Sequence, residues 1–334
     1  MKALVYTGTQ EMTYREEPQP KPLAGHVVMD VSAAAICGSD MHAYHGHDER
    51  RVPPLILGHE VCGVVQEGKY AGKRMVINPL MTCGICHDCM SGRSNLCHQR
   101  ELIGMYLQGA LAEQVAIDER NLLAIPDDMC SVSAALTEPT ATALHAIVLV
   151  ERIAYRPLSE MRCLIMGGGA IGLLAALILK TKGCINVDMA ETNALRRNSV
   201  DSQQCATTYD PLHDKAPYAG EYDVVFDCVG AGVTRQSACE SVRPGGIISH
   251  VGLQNTESGF NSRRITLQEI TVLGNYCYTM ADMKASVDML YHAQLGGLDW
   301  VDVRPLSQGG EAFSDLHLGK VAAAKIVLRP DHLM

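Results

Sequence analysis

The sequence predicts an α/β protein of two domains, an irregular β-rich one followed by a doubly wound parallel sheet. Three observations carry that expectation: short strand-like runs between Pro, Gly and polar turns over residues 1–66, a strand, glycine turn and helix at 163–180, and repeated βα units beyond it. With 334 residues, 47% of them hydrophobic, the chain also exceeds what one core usually holds.

Composition narrows the function classes. A formal net charge of -9, without any block of basic residues, argues against nucleic acid or an anionic membrane as partner. The most apolar window, residues 163–179, is broken by Gly167, Gly168, Gly169 and Gly172, and so reads as a buried strand and helix, not a membrane span. No leader-like stretch precedes the first strand-like run. Thirteen cysteines are an odd number in a large chain, which fits reduced thiols in a cytoplasm better than a secreted disulfide scaffold.

In the first segment, strand-like runs at 3–6, 27–31 and 61–65 alternate with turns. The apolar run 31–36 hands over at Cys37 to what reads as a turn, a place from which a side chain can be aimed. Cys37-Gly38-Ser39-Asp40-Met41-His42 and Gly58-His59-Glu60 together offer a soft thiolate, an imidazole and carboxylates. Such a set drawn from separate segments makes an open tetrahedral zinc site, with one position left for water or an alcohol. Taken singly, Cys37 reads as a buried thiol and His59 as a core histidine. His42, His45 and His47 are expected in a polar loop ending Asp48-Glu49-Arg50-Arg51, with His45 and His47 as solvated side chains.

Cys83, Cys86, Cys89 and Cys97 follow as C-x2-C-x2-C-x7-C in a loop turned by Gly84 and Gly92. Four thiolates from one loop make a closed, structural zinc site. An iron–sulfur cluster is the rival, but no proline follows the fourth cysteine and no second cluster motif is present.

A helical stretch over 131–150 carries Glu138 near its start. An apolar strand, 163–166, then leads into Gly167-Gly168-Gly169-Ala170-Ile171-Gly172 and a helix. A G-x-G-x-x-G that leaves a strand and opens a helix is a dinucleotide fingerprint: Gly167 for the turn, Gly169 for close approach of the pyrophosphate, Gly172 for helix packing, and the helix N-terminus for the phosphates. The next apolar strand ends at Glu191, where an acidic side chain accepts ribose hydroxyls and repels a 2'-phosphate, favouring NAD over NADP. Arg196 and Arg197 stand close by, and an arginine there is the residue that accommodates such a phosphate. Strand-like runs at 224–227, 246–251 and 270–273 complete the expected parallel sheet, and 325–328 reads as a closing strand.

In this order, the Cys37 segment, Gly58-His59-Glu60, the four-cysteine loop, Glu138-Pro139 and the glycine motif resemble the zinc-containing medium-chain dehydrogenases over about residues 1 to 330. Ile77-Asn78-Pro79 and Thr137-Glu138-Pro139 through His145-Ala146 are similar to the polyol and sugar-acid branch, that of sorbitol, L-idonate 5- and galactitol-1-phosphate dehydrogenases. The resemblance implies a GroES-like catalytic domain at 1–141, a Rossmann NAD-binding domain at 142–274 and a return to the catalytic domain at 275–334. It further implies a catalytic zinc on Cys37, His59 and Glu60 or Glu138, so two Zn2+ per chain with the four-cysteine site, and a homodimer or homotetramer.

The expected reaction is reversible oxidation of a secondary alcohol to a ketone, with hydride passing to NAD and the proton leaving through Ser39 and then His42. A threonine- or butanediol-type dehydrogenase shares every motif, and a zinc- and NAD-binding sensor without turnover is the rival from another class. The shortened segment 66–72 and Gly72-Lys73-Arg74-Met75 depart from the family pattern.

Overall fold

The computed structural model describes all 334 residues. The chain divides into two compact units, one of Met1–Ala141, Tyr278–Lys320 and Lys325–Met334, the other of Thr142–Cys277 and Val321–Ala324. No helix is long and apolar enough to cross a membrane.

The first unit is built on a seven-stranded sheet, with a three-stranded and a two-stranded sheet beside it. Its central strand is His26–Ala35, whose alternating buried residues Val27, Met29, Val31, Ala33 and Ala35 supply core. That strand lies antiparallel between Glu60–Val65 and Lys325–Arg329. Register then decides what meets at its exit: Ala35 pairs with Glu60 on one side and with Val327 on the other. Cys37, two residues on, is thereby flanked by Glu60 and by Lys325, which lies two residues before Val327. A slip of one residue would carry Val27, Met29, Val31, Ala33 and Ala35 to the opposite face, so register is strongly specified here.

Two expectations are corrected. The residues after Cys37 form a helix, Gly38–Tyr44, instead of a polar loop, because Cys37 and Asp40 make a reciprocal capping box that satisfies the first amides of the turn. His42 is therefore helical, and His45 is not simply solvated: its Nε2 lies 2.9 Å from His317 Nδ1. The run Val301–Pro305 is a strand that the sequence reading passed over; it pairs in parallel with Lys325–Arg329 and lies at the end of the sheet. It alternates only weakly, as expected of an edge.

The second unit holds a six-stranded, all-parallel sheet in the order Thr207–Tyr209, Val187–Ala190, Cys163–Met166, Tyr222–Asp227, Val242–His250 and Thr271–Gly274. In chain order that is 3-2-1-4-5-6, the doubly wound arrangement. Cys163–Met166 and Tyr222–Asp227 are buried along their whole length, as central parallel strands covered on both faces must be. The helix Ala170–Thr181 buries every residue from Gly172 to Leu179.

The glycine turn shows why each glycine is there. Gly167 has φ +97°, a left-handed conformation that side chains resist, and a Cβ on Gly172 would stand 1.9 Å from the Gly167 carbonyl oxygen. Gly172→Ala should therefore destabilise the protein by about 1–3 kcal/mol through overpacking against backbone, measurable by urea unfolding.

Candidate active site

A buried carboxylate assembles the first constellation. Asp40 has no exposed surface; its Oδ2 accepts the Cys37 amide at 3.0 Å, while its Oδ1 accepts the Gly58 amide at 3.4 Å. The same Oδ1 lies 3.7 Å from His59 Nδ1. One side chain thus ties the segment that presents Cys37 to the segment that presents His59 and Glu60. The ligand atoms of Cys37, His59 and Glu60 lie within 4.8 Å of one another, a spacing a single metal ion can span. His59 Nδ1 is buried without a hydrogen-bond partner. With Nδ1 turned to Asp40, Nε2 is the nitrogen left for a metal, the arrangement in which an outer carboxylate orients a ligating histidine.

The charges fit a cation. Burial pushes the Cys37 thiol up, and Glu60, Asp40 and Glu138 add to the rise while Lys325 opposes it. Glu60 is fully buried against Lys325, whose Nζ donates to both carboxylate oxygens at 2.7 and 2.8 Å and to the Ile36 carbonyl at 3.0 Å. Burial alone would lower the Lys325 pKa, but Glu60 and Cys37 more than reverse that and hold it above the ordinary lysine value. Glu138, in the first turn of the helix Thr137–Glu151, is not in the three-donor group. Burial carries its carboxyl up to about 7, with Glu60 adding, while His59, Tyr278 and Lys325 pull it down. A borderline-soft divalent ion suits this thiol, imidazole and carboxylate set, and zinc is the ion such a set holds with a position open.

Ser39 and His42 lie on the helix that Cys37 caps. Arg51 Nη2 donates to Ser39 Oγ at 3.1 Å. His42 is half-buried; burial lowers its pKa below the ordinary 6.5, and Arg51 adds to the fall.

The four cysteines of the loop also come together. Cys83 Sγ lies 3.9 Å from Cys89 Sγ and 3.5 Å from Cys97 Sγ, close to the ~3.8 Å between sulfurs around tetrahedral zinc. The amides of Ile85 and Cys86 point at Cys83 and hold its thiol down to about 6, so it is a ready thiolate.

In the second unit the helix Ala170–Thr181 is capped by Gly169, beside whose Cα nothing beyond its chain neighbours stands within 4 Å of where a Cβ would be, the shape that close approach of a phosphate needs. Ala170 and Ile171 form the first turn. Glu191 is buried and already spends both oxygens on backbone amides: Oε2 accepts Gly168 N and Oε1 accepts Asn193 N, each at 2.7 Å. It therefore braces the glycine turn. Arg197 donates to the carbonyls of Glu191 and Thr192 and pairs with Asp210 at 3.1 Å. Arg196 Nε is buried without a hydrogen-bond partner.

Asp40, Arg51, Tyr278 and Lys325 were missed in the sequence. Asp40 had a signal, since its spacing from Cys37 is that of a capping box; the other three lie far from the motifs they serve.

This fold with a zinc-type donor set and a dinucleotide turn defines a metal-dependent dehydrogenase. Residues 23–127 match the alcohol dehydrogenase GroES-like domain and residues 170–291 the zinc-binding dehydrogenase family. The 2-dehydro-3-deoxy-L-galactonate 5-dehydrogenase of Pseudoalteromonas atlantica is 30% identical over 95% of both chains. Sorbitol dehydrogenase of Halalkalibacterium halodurans is 29% identical over 99% of both. A zinc-binding dehydrogenase from Sinorhizobium meliloti, solved bound to NADP, superposes with a TM-score of 0.84 at 27% identity, covering 98% of this chain and 99% of that one.

The chain belongs to the zinc-binding alcohol dehydrogenase family, oxidoreductases that act on CH–OH donors with zinc and NAD. Its substrate is accordingly a small-molecule alcohol.

Two outcomes test the charge and thiol geometry. Cys97→Ser should lower bound zinc by one ion per chain, read by atomic absorption, because the loop site then lacks its buried ligand. Lys325→Met should cost the zinc-free protein about 3–5 kcal/mol in urea unfolding, since it leaves the Glu60 carboxylate buried and unpaired.

Proposed function

We propose that this protein oxidises a secondary alcohol of a polyol or sugar acid to the ketone, with NAD preferred over NADP. The observation that carries the reading is the buried group of Cys37, His59 and Glu60, with Glu138 beside it and Ser39 and His42 on the helix that Cys37 caps. When bound there, zinc supplies the Lewis acidity that makes an alcohol proton easy to lose, and NAD supplies the hydride acceptor.

The chain's own residues do the rest. Cys37, His59 and Glu60 hold the ion, with Glu138 as the carboxylate that exchanges with it. Ser39 Oγ takes the alcohol proton. His42, neutral at neutral pH because burial lowers its pKa, passes that proton outward. Cys83, Cys86, Cys89 and Cys97 hold the structural ion. Gly167, Gly169, Ala170, Ile171 and Gly172 cradle the pyrophosphate, while Glu191 and Arg196 meet the adenosine ribose. Glu191 supports NAD, since a carboxylate repels a 2'-phosphate.

We assign the catalytic domain to 1–141 with 275–334 and the NAD-binding domain to 142–274. A homodimer or homotetramer in the cytoplasm is the expected setting, consistent with thirteen cysteines that are all free.

The test is NADH formation with zinc-loaded protein on polyols, sugar acids, sugar phosphates, L-threonine and butanediol, with NAD or NADP, each with and without a chelator. Chelator-sensitive turnover of polyols or sugar acids with NAD is expected; turnover of L-threonine or butanediol alone would reassign the substrate. Silence across the panel would move the reading to a binding protein. His42→Gln should lower kcat by about tenfold or more and remove the acid limb of the pH profile. That limb arises because protonated His42 cannot accept a proton, so in the native enzyme the rate is lost as pH falls through a pKa lying below 6.5.

A further inference from the structure

A guanidinium has five N–H donors, no acceptor and a permanent charge, so one with no contact to water must spend its donors on fixed partners. The Arg51 side chain is 0% exposed. Its Nε donates to the Gly104 carbonyl at 2.9 Å, its Nη1 to Asp48 Oδ2 at 2.5 Å and its Nη2 to Ser39 Oγ at 3.1 Å. Asp40 Oδ1, the atom that also faces His59, is 3.9 Å from the same Nη2.

We propose that Arg51 is a positioning residue for the alcohol oxidation, one that keeps the Ser39 hydrogen out of the position the guanidinium occupies and so confines the hydroxyl to the two partners between which it passes a proton. This rests on the reading of Ser39 as the group that takes the alcohol proton. A serine hydroxyl has one donor hydrogen and two acceptor lone pairs, and its hydrogen normally rotates to suit its surroundings. Arginine cannot accept. In the Arg51 contact Ser39 Oγ is therefore the acceptor, and its hydrogen must point elsewhere.

One lone pair is thus taken, and one lone pair and one O–H remain. The free lone pair receives the proton of the alcohol, and the O–H hands its own proton on. Those two positions serve the alcohol on one side and the outward path on the other, and the relay runs through them in both senses of the reversible reaction. Without Arg51 the position it occupies is open to the hydroxyl hydrogen, and with the hydrogen turned there Ser39 can still accept the alcohol proton but cannot hand its own proton outward. Asp48 has a second partner besides Arg51, since Arg50 Nε and Nη2 donate to it at 2.8 and 3.0 Å.

The experiment is a double-mutant cycle on zinc-replete enzyme with saturating NAD and the best alcohol from the substrate panel. The variants are Arg51→Met, Arg51→Lys, Ser39→Ala and both doubles, with kcat, KM, zinc content and Tm read for each. Arg51→Met should lower kcat by about 10- to 100-fold with KM nearly unchanged and zinc retained, as expected when a reacting group is misdirected. Arg51→Lys, which restores a cationic donor, should recover part of that loss. In the Ser39→Ala background the Arg51 effect should shrink to less than about twofold, because a residue acting through Ser39 has nothing left to direct.

Undiminished kcat in Arg51→Met overturns the proposal, and so does an equal loss with and without Ser39. If Arg51→Met loses zinc or fails to fold, Arg51→Lys is read through the same cycle with the same criterion. Normal kcat in Ser39→Ala would overturn the Ser39 reading itself, a result separable from additivity in the cycle.

Discussion

The catalytic half of this protein depends on one carboxylate that water does not reach. Asp40 accepts the amide of Cys37, starts the helix that carries Ser39 and His42, accepts the amide of Gly58 and faces His59. A buried carboxylate is tolerated only when its lone pairs are filled, and here they are filled by the backbone on either side of the proposed ligands. Ligand position is in this way a consequence of satisfying Asp40. The uncertainty in where a flexible thiol or imidazole would point is removed before any metal arrives.

Charge is balanced around the same point with few spare groups. Cys37, Glu60, Glu138 and Asp40 bring potential negative charge into one dry volume, and the fixed cations there are Lys325 and Arg51. Lys325 answers Glu60, and Arg51 answers Asp48 while standing near Asp40. Glu138 is left as a carboxyl that burial drives up toward neutrality. A divalent cation relieves the imbalance, which is why this donor set reads as a binding site and not as a stability device: buried ion pairs by themselves seldom add stability over apolar packing.

The dinucleotide unit works by different means, through backbone shape more than charge. Gly167 turns, Gly172 lets helix meet strand, and Gly169 has open space where a Cβ would stand. Glu191 joins that turn to the following helix through two amide hydrogen bonds, so the residue proposed to meet the ribose also holds the loop proposed to cradle the pyrophosphate. Changing it would perturb both, and a loss of cofactor binding on its substitution would not by itself separate the two roles.

Much of this was legible in the sequence because it is local. The glycine turn, the four-cysteine loop and the Cys37 and His59 segments are each written within a few residues, where spacing alone constrains geometry. The parallel sheet was legible too, since strands buried on both faces read as apolar runs. What the sequence did not show is what the strand register brings together: Lys325 reaches Glu60 because both strands pair with His26–Ala35, and no local pattern encodes that meeting. The helix after Cys37 was read as a loop because its polar residues hide the capping box that starts it. Arg51 sits in a run of charged residues that looks solvated, and only the fold shows it to be buried against Ser39 and Gly104. The sequence by itself determined the donor types, the cofactor turn and the two-domain class; tertiary structure alone decided which charges neutralise which, because those partners are chosen by packing across distant segments.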